Sequence, residues 1–249
     1  MGAQKKTKAL RPALFITFEG GEGTGKSTQI KLLEKALKKR RIKALVTREP
    51  GGSTGAEAVR HVLLSGAVES LGAEMEAILF SAARSDHVET IIRPTLQAGT
   101  TVLCDRFFDS TRVYQGVTGK VPLELLRQLE RVACEDCWPD LTIILDLDPK
   151  EGMKRAANRE AEFGEADRFE KESLKLQKAR RQAYLDIAAA EPERCRVVDA
   201  SGDPQAVHER ILELVMERFE QAKDGSKAET PKKLVKAKRG RKKTAEAGA

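Results

Sequence analysis

Five short runs of the chain are almost purely apolar and β-branched. They are "ALFITF" (13–18), "KALVT" (43–47), "TTVLC" (100–104), "LTIILDL" (141–147) and "CRVVDA" (195–200). None alternates with polar residues, so each predicts a strand buried on both faces, as in a parallel sheet. The stretches between them are amphipathic at helical spacing. Thr28–Lys39 places Ile30, Leu33 and Leu37 on one face. Further helices are predicted over Ala56–Leu64, Ala73–Arg84, His87–Gln97, Leu123–Ala133, Lys150–Ala157, Ser173–Ala190 and Pro204–Gln221. Pro122 and Pro204 stand at helix starts, where their fixed φ fits. Strand alternating with helix predicts an α/β fold, a parallel sheet flanked by helices on both faces, with ligands at the carboxyl ends of the strands. Residues 158–168, "NREAEFGEADR", are charged and nearly free of apolar positions, and predict a mobile surface loop.

Composition sharpens this picture at the two ends. Of 249 residues, 40% are hydrophobic and 33% charged, with no apolar run long enough to span a bilayer. The net charge of +7 is local: residues 222–249 carry ten Lys/Arg against three Asp/Glu, whereas 1–221 carry thirty-five of each. The chain therefore reads as a basic leader (1–12), one folded domain (13–221) and a basic tail (222–249) with too little apolar content to order itself. Such a tail can touch nucleic acid weakly, although a solvated tail is the plainer reading. Cys134 and Cys137 have CxxC spacing but no second pair, and His61, His87 and His208 are scattered. That argues against a zinc site and for reduced thiols in a cytoplasmic enzyme.

The chemistry starts at "FEGGEGTGKST" (18–28), which fits G-x-x-x-x-G-K-[ST] between a strand and a helix. Gly20, Gly21, Glu22, Gly23, Thr24 and Gly25 leave backbone amides free to face phosphate oxygens, and Thr28 belongs to the helix N-terminus that follows. Lys26 can reach the outer phosphates of ATP, and the Ser27 hydroxyl can ligate Mg²⁺. No N-K-x-D guanine-reading motif is present. Arginines at predicted strand ends and helix termini (Arg48, Arg84, Arg106) and around the polar loop (Arg155, Arg159, Arg168) suit a kinase, which must neutralise two polyanions.

Together with "TREPGGSTGAEAVR" (47–60), "LFSAARSDHV" (79–88), "VLCDRFFDSTRVYQG" (102–116), "PDLTIILD" (139–146) and "ADRFE" (166–170), this loop resembles the bacterial thymidylate kinase family over residues 13–218. The resemblance implies a P-loop nucleoside-monophosphate kinase fold, a homodimer, and transfer of phosphate from ATP to dTMP with Mg²⁺ in dTTP biosynthesis. It implies that Glu22 faces the deoxyribose 3′-hydroxyl, although a loop acid can also simply be exposed. Phe80 and Arg84, one helical turn apart, would stack on and hydrogen-bond thymine, with a core role the alternative for Phe80. Arg106 and Arg48 would hold the acceptor phosphate, and Gly51 and Gly52 would allow tight turns. Asp105 would share the metal with Ser27, through water or directly. Thr111, Tyr114 and Gln115 would shape the sugar and base pocket, with Tyr114 crowding out a ribose 2′-hydroxyl.

The family has two versions, one with an arginine in the phosphate loop and one with glycine there and arginines in the lid. Gly23 places this chain in the second, which makes Arg155 and Arg159 the expected catalytic cations of a lid at 155–168 beside Arg106 and Lys26, with Arg168 the weaker candidate. A kinase of another pyrimidine monophosphate, or a P-loop protein acting on nucleic acid through the tail, would be the alternatives.

Overall fold

The computed structural model describes residues 12–66, 68–163 and 173–225. The leader up to residue 11, the tail from 226 and the end of the expected lid, with Arg168, lie outside the described residues. Five strands form one parallel sheet: β1 (Phe15–Glu19), β2 (Ala44–Arg48), β3 (Thr101–Asp105), β4 (Leu141–Asp146) and β5 (Cys195–Asp199). Their spatial order is β2-β3-β1-β4-β5. The chain leaves β1 toward β2 and β3, then crosses to β4, so the carboxyl end of β1 is the topological switch point where this architecture opens a crevice.

Side chains alternate between two buried faces. Ile16, Phe18, Leu103, Ile143 and Leu145 pack under α1 (Lys26–Lys39) and α9 (Pro204–Lys223), against Leu33, Leu37, Ile211, Val215 and Phe219. Phe15, Val102 and Cys104 point the other way, toward Val88, Ile92, Phe107, Phe108 and Cys134. The expectation of double burial holds for β1, β3 and β4 but not for the edge strands. Val46 of β2 and Val197 of β5 are 39% and 45% exposed, because each edge lacks a neighbouring strand and full helix cover.

The remaining helices are α2 (Thr54–Leu64), α3 (Gly72–His87), α4 (Arg93–Gln97), α5 (Phe108–Thr111), α6 (Leu123–Cys134), α7 (Pro149–Phe163) and α8 (Leu174–Ala190). Three departures from the sequence reading matter. The helices expected over Ala73–Arg84 and His87–Gln97 run on without a break, joined by a wide π-type turn at Val88–Ile92. Pro94 lacks the N–H that an ordinary turn would need there, and the widened turn just before it absorbs the mismatch. Next, α7 continues to Phe163, so the first six residues of the expected loop are helical. Ala, Arg and Glu are good helix formers, and no Gly or Pro interrupts before Gly164. Lastly, residues 108–118 form α5 and a second π-type stretch, Arg112–Thr118, where no helix was expected.

Candidate active site

The phosphate loop leaves the carboxyl end of β1 and enters α1 at Lys26. The first turn of α1 contains no acid, so its amides and dipole offer positive potential undiluted. Lys26 Nζ donates to the carbonyls of Gly20 and Gly21 at 3.1 and 2.9 Å. Burial, and then the Arg106 charge, lower its pKa, while Glu22, Asp105 and Glu19 pull the other way. Thr24 Oγ1 donates to the Gly21 carbonyl at 3.0 Å and closes the loop on itself. Ser27 Oγ donates to Asp105 Oδ2 at 2.8 Å, so the two expected metal ligands meet between α1 and the end of β3. Among the described residues no cluster of three or more His, Cys, Asp or Glu could hold a metal by itself.

Glu22 turns away from the loop amides. Its Oε1 accepts from Arg106 Nη2 at 2.5 Å and from the Tyr114 hydroxyl at 2.7 Å. Burial works to raise the Glu22 pKa. Arg106 and Lys26, helped by Tyr114 and Arg180, outweigh it and hold the carboxyl at about 2. An acid can sit in an anion-binding loop because it is already claimed by cations on the neighbouring side. Arg106 follows β3 in a left-handed conformation, φ +68°, which costs a non-glycine residue about 1–2 kcal/mol. Its Nη1 lies within 3.2–3.4 Å of the Gly20 carbonyl, Ser110 Oγ and the Tyr184 hydroxyl. Behind it, fully buried Glu19 accepts from the Phe107 amide and Ser110 Oγ, both at 2.7 Å, and from the Tyr184 hydroxyl at 3.2 Å.

The remaining acceptor candidates lie on α3 and the 108–118 helix. Arg84 is buried, with Nε donating to Glu49 Oε2 at 2.8 Å and Nη2 to Thr111 Oγ1 at 3.1 Å. Phe80, one turn earlier on α3, is half-buried and belongs to none of the core clusters. Buried Gln115 donates to Glu76 at 3.2 Å. A network of ion pairs fixes the helix that carries Thr111, Tyr114 and Gln115. Arg112 grips Glu130 and Glu191, Arg194 grips buried Asp109 in bidentate fashion, and both guanidinium groups lie over the Phe108 ring.

Two expected groups have partners outside this cluster. Arg48 is 53% exposed and paired with Glu57 at 2.8 Å. Arg155 pairs with Glu151 and donates to the Ala200 carbonyl, beyond the end of β5. The side chain of Arg159 lies outside the described residues. Sequence reasoning missed Glu19, Glu49, Arg180 and Tyr184. Glu49 stood inside a motif already singled out. Tyr184 and Arg180, whose guanidinium lies 4.0 Å from the Tyr114 ring centroid, sit on an ordinary amphipathic helix with no local signal.

Comparison with known proteins identifies the family. The family model described as thymidylate kinase matches residues 18–211. Thymidylate kinases from two strains of Rhodopseudomonas palustris, TIE-1 and ATCC BAA-98 / CGA009, are each 53% identical over 216 residues, covering 86% of this chain and 94% of the relative. The crystal structure of thymidylate kinase from Ehrlichia chaffeensis superposes with a TM-score of 0.65 at 31% identity, covering 82% of this chain and 99% of that one. A family model that matches most of the chain, and relatives 53% identical over nearly their whole length, place the chain in the thymidylate kinase family.

Proposed function

We propose that the phosphoryl transfer of this family, from ATP to dTMP, runs in this chain across the gap between the Gly20–Thr28 loop and the 108–118 helix. The observation that carries the assignment is the shared ion pair. Glu22 of the donor loop accepts from Arg106 at 2.5 Å and Tyr114 at 2.7 Å, so donor and acceptor sites share a wall. ATP would lay its phosphates along the loop amides, and Lys26 would exchange the Gly20 and Gly21 carbonyls for phosphate oxygens.

On the acceptor side, Arg106 takes the dTMP phosphate, its planar fork matching the oxyanion, and Arg48 turns from Glu57 to join it. Glu22, ionised at any physiological pH, receives the 3′-hydroxyl of the sugar. Phe80 offers its half-exposed ring to thymine, and Arg84 and Gln115 meet the base edge. Thr111 steadies Arg84, and Tyr114 packs against the sugar. A dTMP phosphate oxygen then attacks the γ-phosphorus in line. The new O–P bond forms as the bond to the bridging oxygen of ADP breaks, and no protein nucleophile takes part. Arg155 and Arg159 are the lid cations for this step, Arg155 after leaving Glu151 and the Ala200 carbonyl.

The hydroxyl of Ser27 and the carboxylate of Asp105 are hard oxygen donors 2.8 Å apart, which fits Mg²⁺ held by one carboxylate together with substrate phosphates. The ion would supply charge neutralisation on the triphosphate. The assembly proposed is a homodimer through α2 and α3, where Val62, Met75 and Ile78 are exposed, with Leu71 just before α3 also exposed. The compartment proposed is the cytoplasm, in keeping with four free, buried thiols. Among the described residues no helix is long and apolar enough to cross a membrane.

The test is coupled ADP release with each nucleoside monophosphate in turn. dTMP is expected to exceed CMP and UMP in kcat/KM by at least about a hundredfold. ATP turnover that ignores dTMP, or a preference for CMP or UMP, would overturn the assignment.

A further inference from the structure

An unbroken row of hydrogen bonds runs through the interior from the end of β2 to the helix that carries the pocket. Thr47 Oγ1 meets His87 Nε2 at 2.7 Å, and His87 Nδ1 meets Glu49 Oε1 at 3.1 Å. Glu49 Oε2 accepts from Arg84 Nε at 2.8 Å, and Arg84 Nη2 donates to Thr111 Oγ1 at 3.1 Å. His87 is fully buried, and Glu49 and Arg84 nearly so. We infer that His87 is a positioning residue for the acceptor base: it fixes the Glu49 carboxylate, which in turn fixes the Arg84 guanidinium. This rests on the assignment of Arg84 to the base edge.

The chemistry of each link sets its direction. A carboxylate has no proton to give, so Nδ1–H donates to Glu49, while the Thr47 hydroxyl can serve Nε2 in either role. Arg84 spends Nε on Glu49 and one edge of Nη2 on Thr111, and Nη1 makes no hydrogen bond among the described residues. With only one carboxylate oxygen engaged, Glu49 could rotate and carry the guanidinium with it. His87 holds the second oxygen and removes that freedom. The turn after Glu49 closes over the same ring. A Cβ on Gly52, φ +89°, would stand 2.4 Å from His87 Nε2 and 2.4 Å from Thr47 Oγ1. The backbone of the "REPGG" turn is thus pressed on the imidazole.

Side-chain geometry separates this role from mere packing. An asparagine amide overlays Nδ1 and can still donate to Glu49. A glutamine amide overlays Nε2 and keeps only the Thr47 contact. The experiment measures KM for dTMP and for ATP in His87→Ala, His87→Asn and His87→Gln, and repeats His87→Ala in an Arg84→Met background. His87→Ala and His87→Gln are expected to raise KM for dTMP about tenfold, the effect of losing roughly one charge-assisted hydrogen bond, with KM for ATP within about twofold of the parent. His87→Asn is expected to recover most of that loss, and His87→Ala to add nothing once Arg84 is Met. Equal KM values for the Asn and Gln variants, or an undiminished effect in the Arg84→Met background, would overturn the inference. Should His87→Ala not fold, the Asn and Gln pair decides alone. Arg84→Met with an unchanged KM for dTMP would instead sink the assignment of Arg84 itself.

Discussion

The carbonyl oxygen of Gly152, in the first turn of α7, lies 2.0 Å from the point where a Cβ on Gly23 would stand. In return, a Cβ on Gly152 would meet the Glu22 carbonyl at 2.5 Å. The phosphate loop and the helix leading into the expected lid therefore touch backbone to backbone. Position 23 also has φ +69°, where any side chain is strained. These two facts account for the glycine version of the loop: an arginine at 23 would require α7 to move. Gly23→Ala is expected to lower the melting temperature by several degrees and raise KM for ATP at least about tenfold, since about 1–2 kcal/mol of strain adds to the clash. Unaltered ATP kinetics in that variant would show that α7 gives way freely.

Arg106 and Lys26 both bear on Glu22, yet the proposed function gives them different ligands. Lys26→Ala removes the group proposed to reach the transferring phosphate. It is expected to cut kcat by about a hundredfold or more while the protein stays folded, because the freed Gly20 and Gly21 carbonyls can take water. Arg106→Ala removes the cation proposed for the acceptor phosphate. It is expected to raise KM for dTMP by more than about thirtyfold and KM for ATP by less than about threefold, figures that follow from loss of one charge-assisted contact. Steady-state kinetics with each substrate varied in turn separate the two, and equal effects of Arg106→Ala on both KM values would contradict its placement.

What could be read from the chain and what could not divides along physical lines. The five strands and the phosphate loop were legible because their signals are local: continuous apolar runs in one case, glycine spacing before a lysine in the other. The 108–118 helix was not. Asp109, Thr111 and Gln115 are buried polar residues, so the apolar period that marks a helix is absent there. Their burial is made tolerable by Arg194 and Arg84 and by Glu76, which lie far off in sequence. Glu49 was overlooked for the same reason, since its partner His87 is 38 residues away. Arg48 shows the converse. The family resemblance implied a phosphate ligand, and in the structure the Arg48 guanidinium pairs with the Glu57 carboxylate nine residues on.

The exposed apolar residues of α2 and α3 give the proposed dimer a direct test. Met75 and Ile78 are 39% and 41% exposed and lie one turn apart, with Leu71 just before them and Val62 on the adjoining helix. Large exposed apolar residues grouped on neighbouring helices suit the proposed interface. Ile78→Glu places a charge in its middle, and burying that charge without a partner costs several kcal/mol. The expected outcome by light scattering is a dimeric parent and a monomeric variant at micromolar concentration. A parent of monomer mass, or a variant that stays dimeric, would exclude this surface.

Glu19 gives the fold a pH dependence whose sign can be worked out. Burial, and then the Asp109 charge, push its carboxyl up to about 7, against the pull of Ser110, Arg106 and the Phe107 amide. In the unfolded chain the same group titrates near 4.5. Between those two values the folded protein keeps a proton that the unfolded chain has lost, so stability from this group is full below 4.5, declines as pH rises, and levels off above 7. Glu19→Gln stays neutral throughout and keeps an oxygen for the Phe107 amide and an amide for Ser110 or Tyr184. The melting temperature of this variant relative to the parent is therefore expected to improve by about 5 °C between pH 5 and pH 8. Because the difference between the two proteins is read at each pH, titrations elsewhere cancel. A difference that stays constant across the range would show that Glu19 is ionised in the folded protein, with Ser110, Arg106 and the Phe107 amide outweighing its burial.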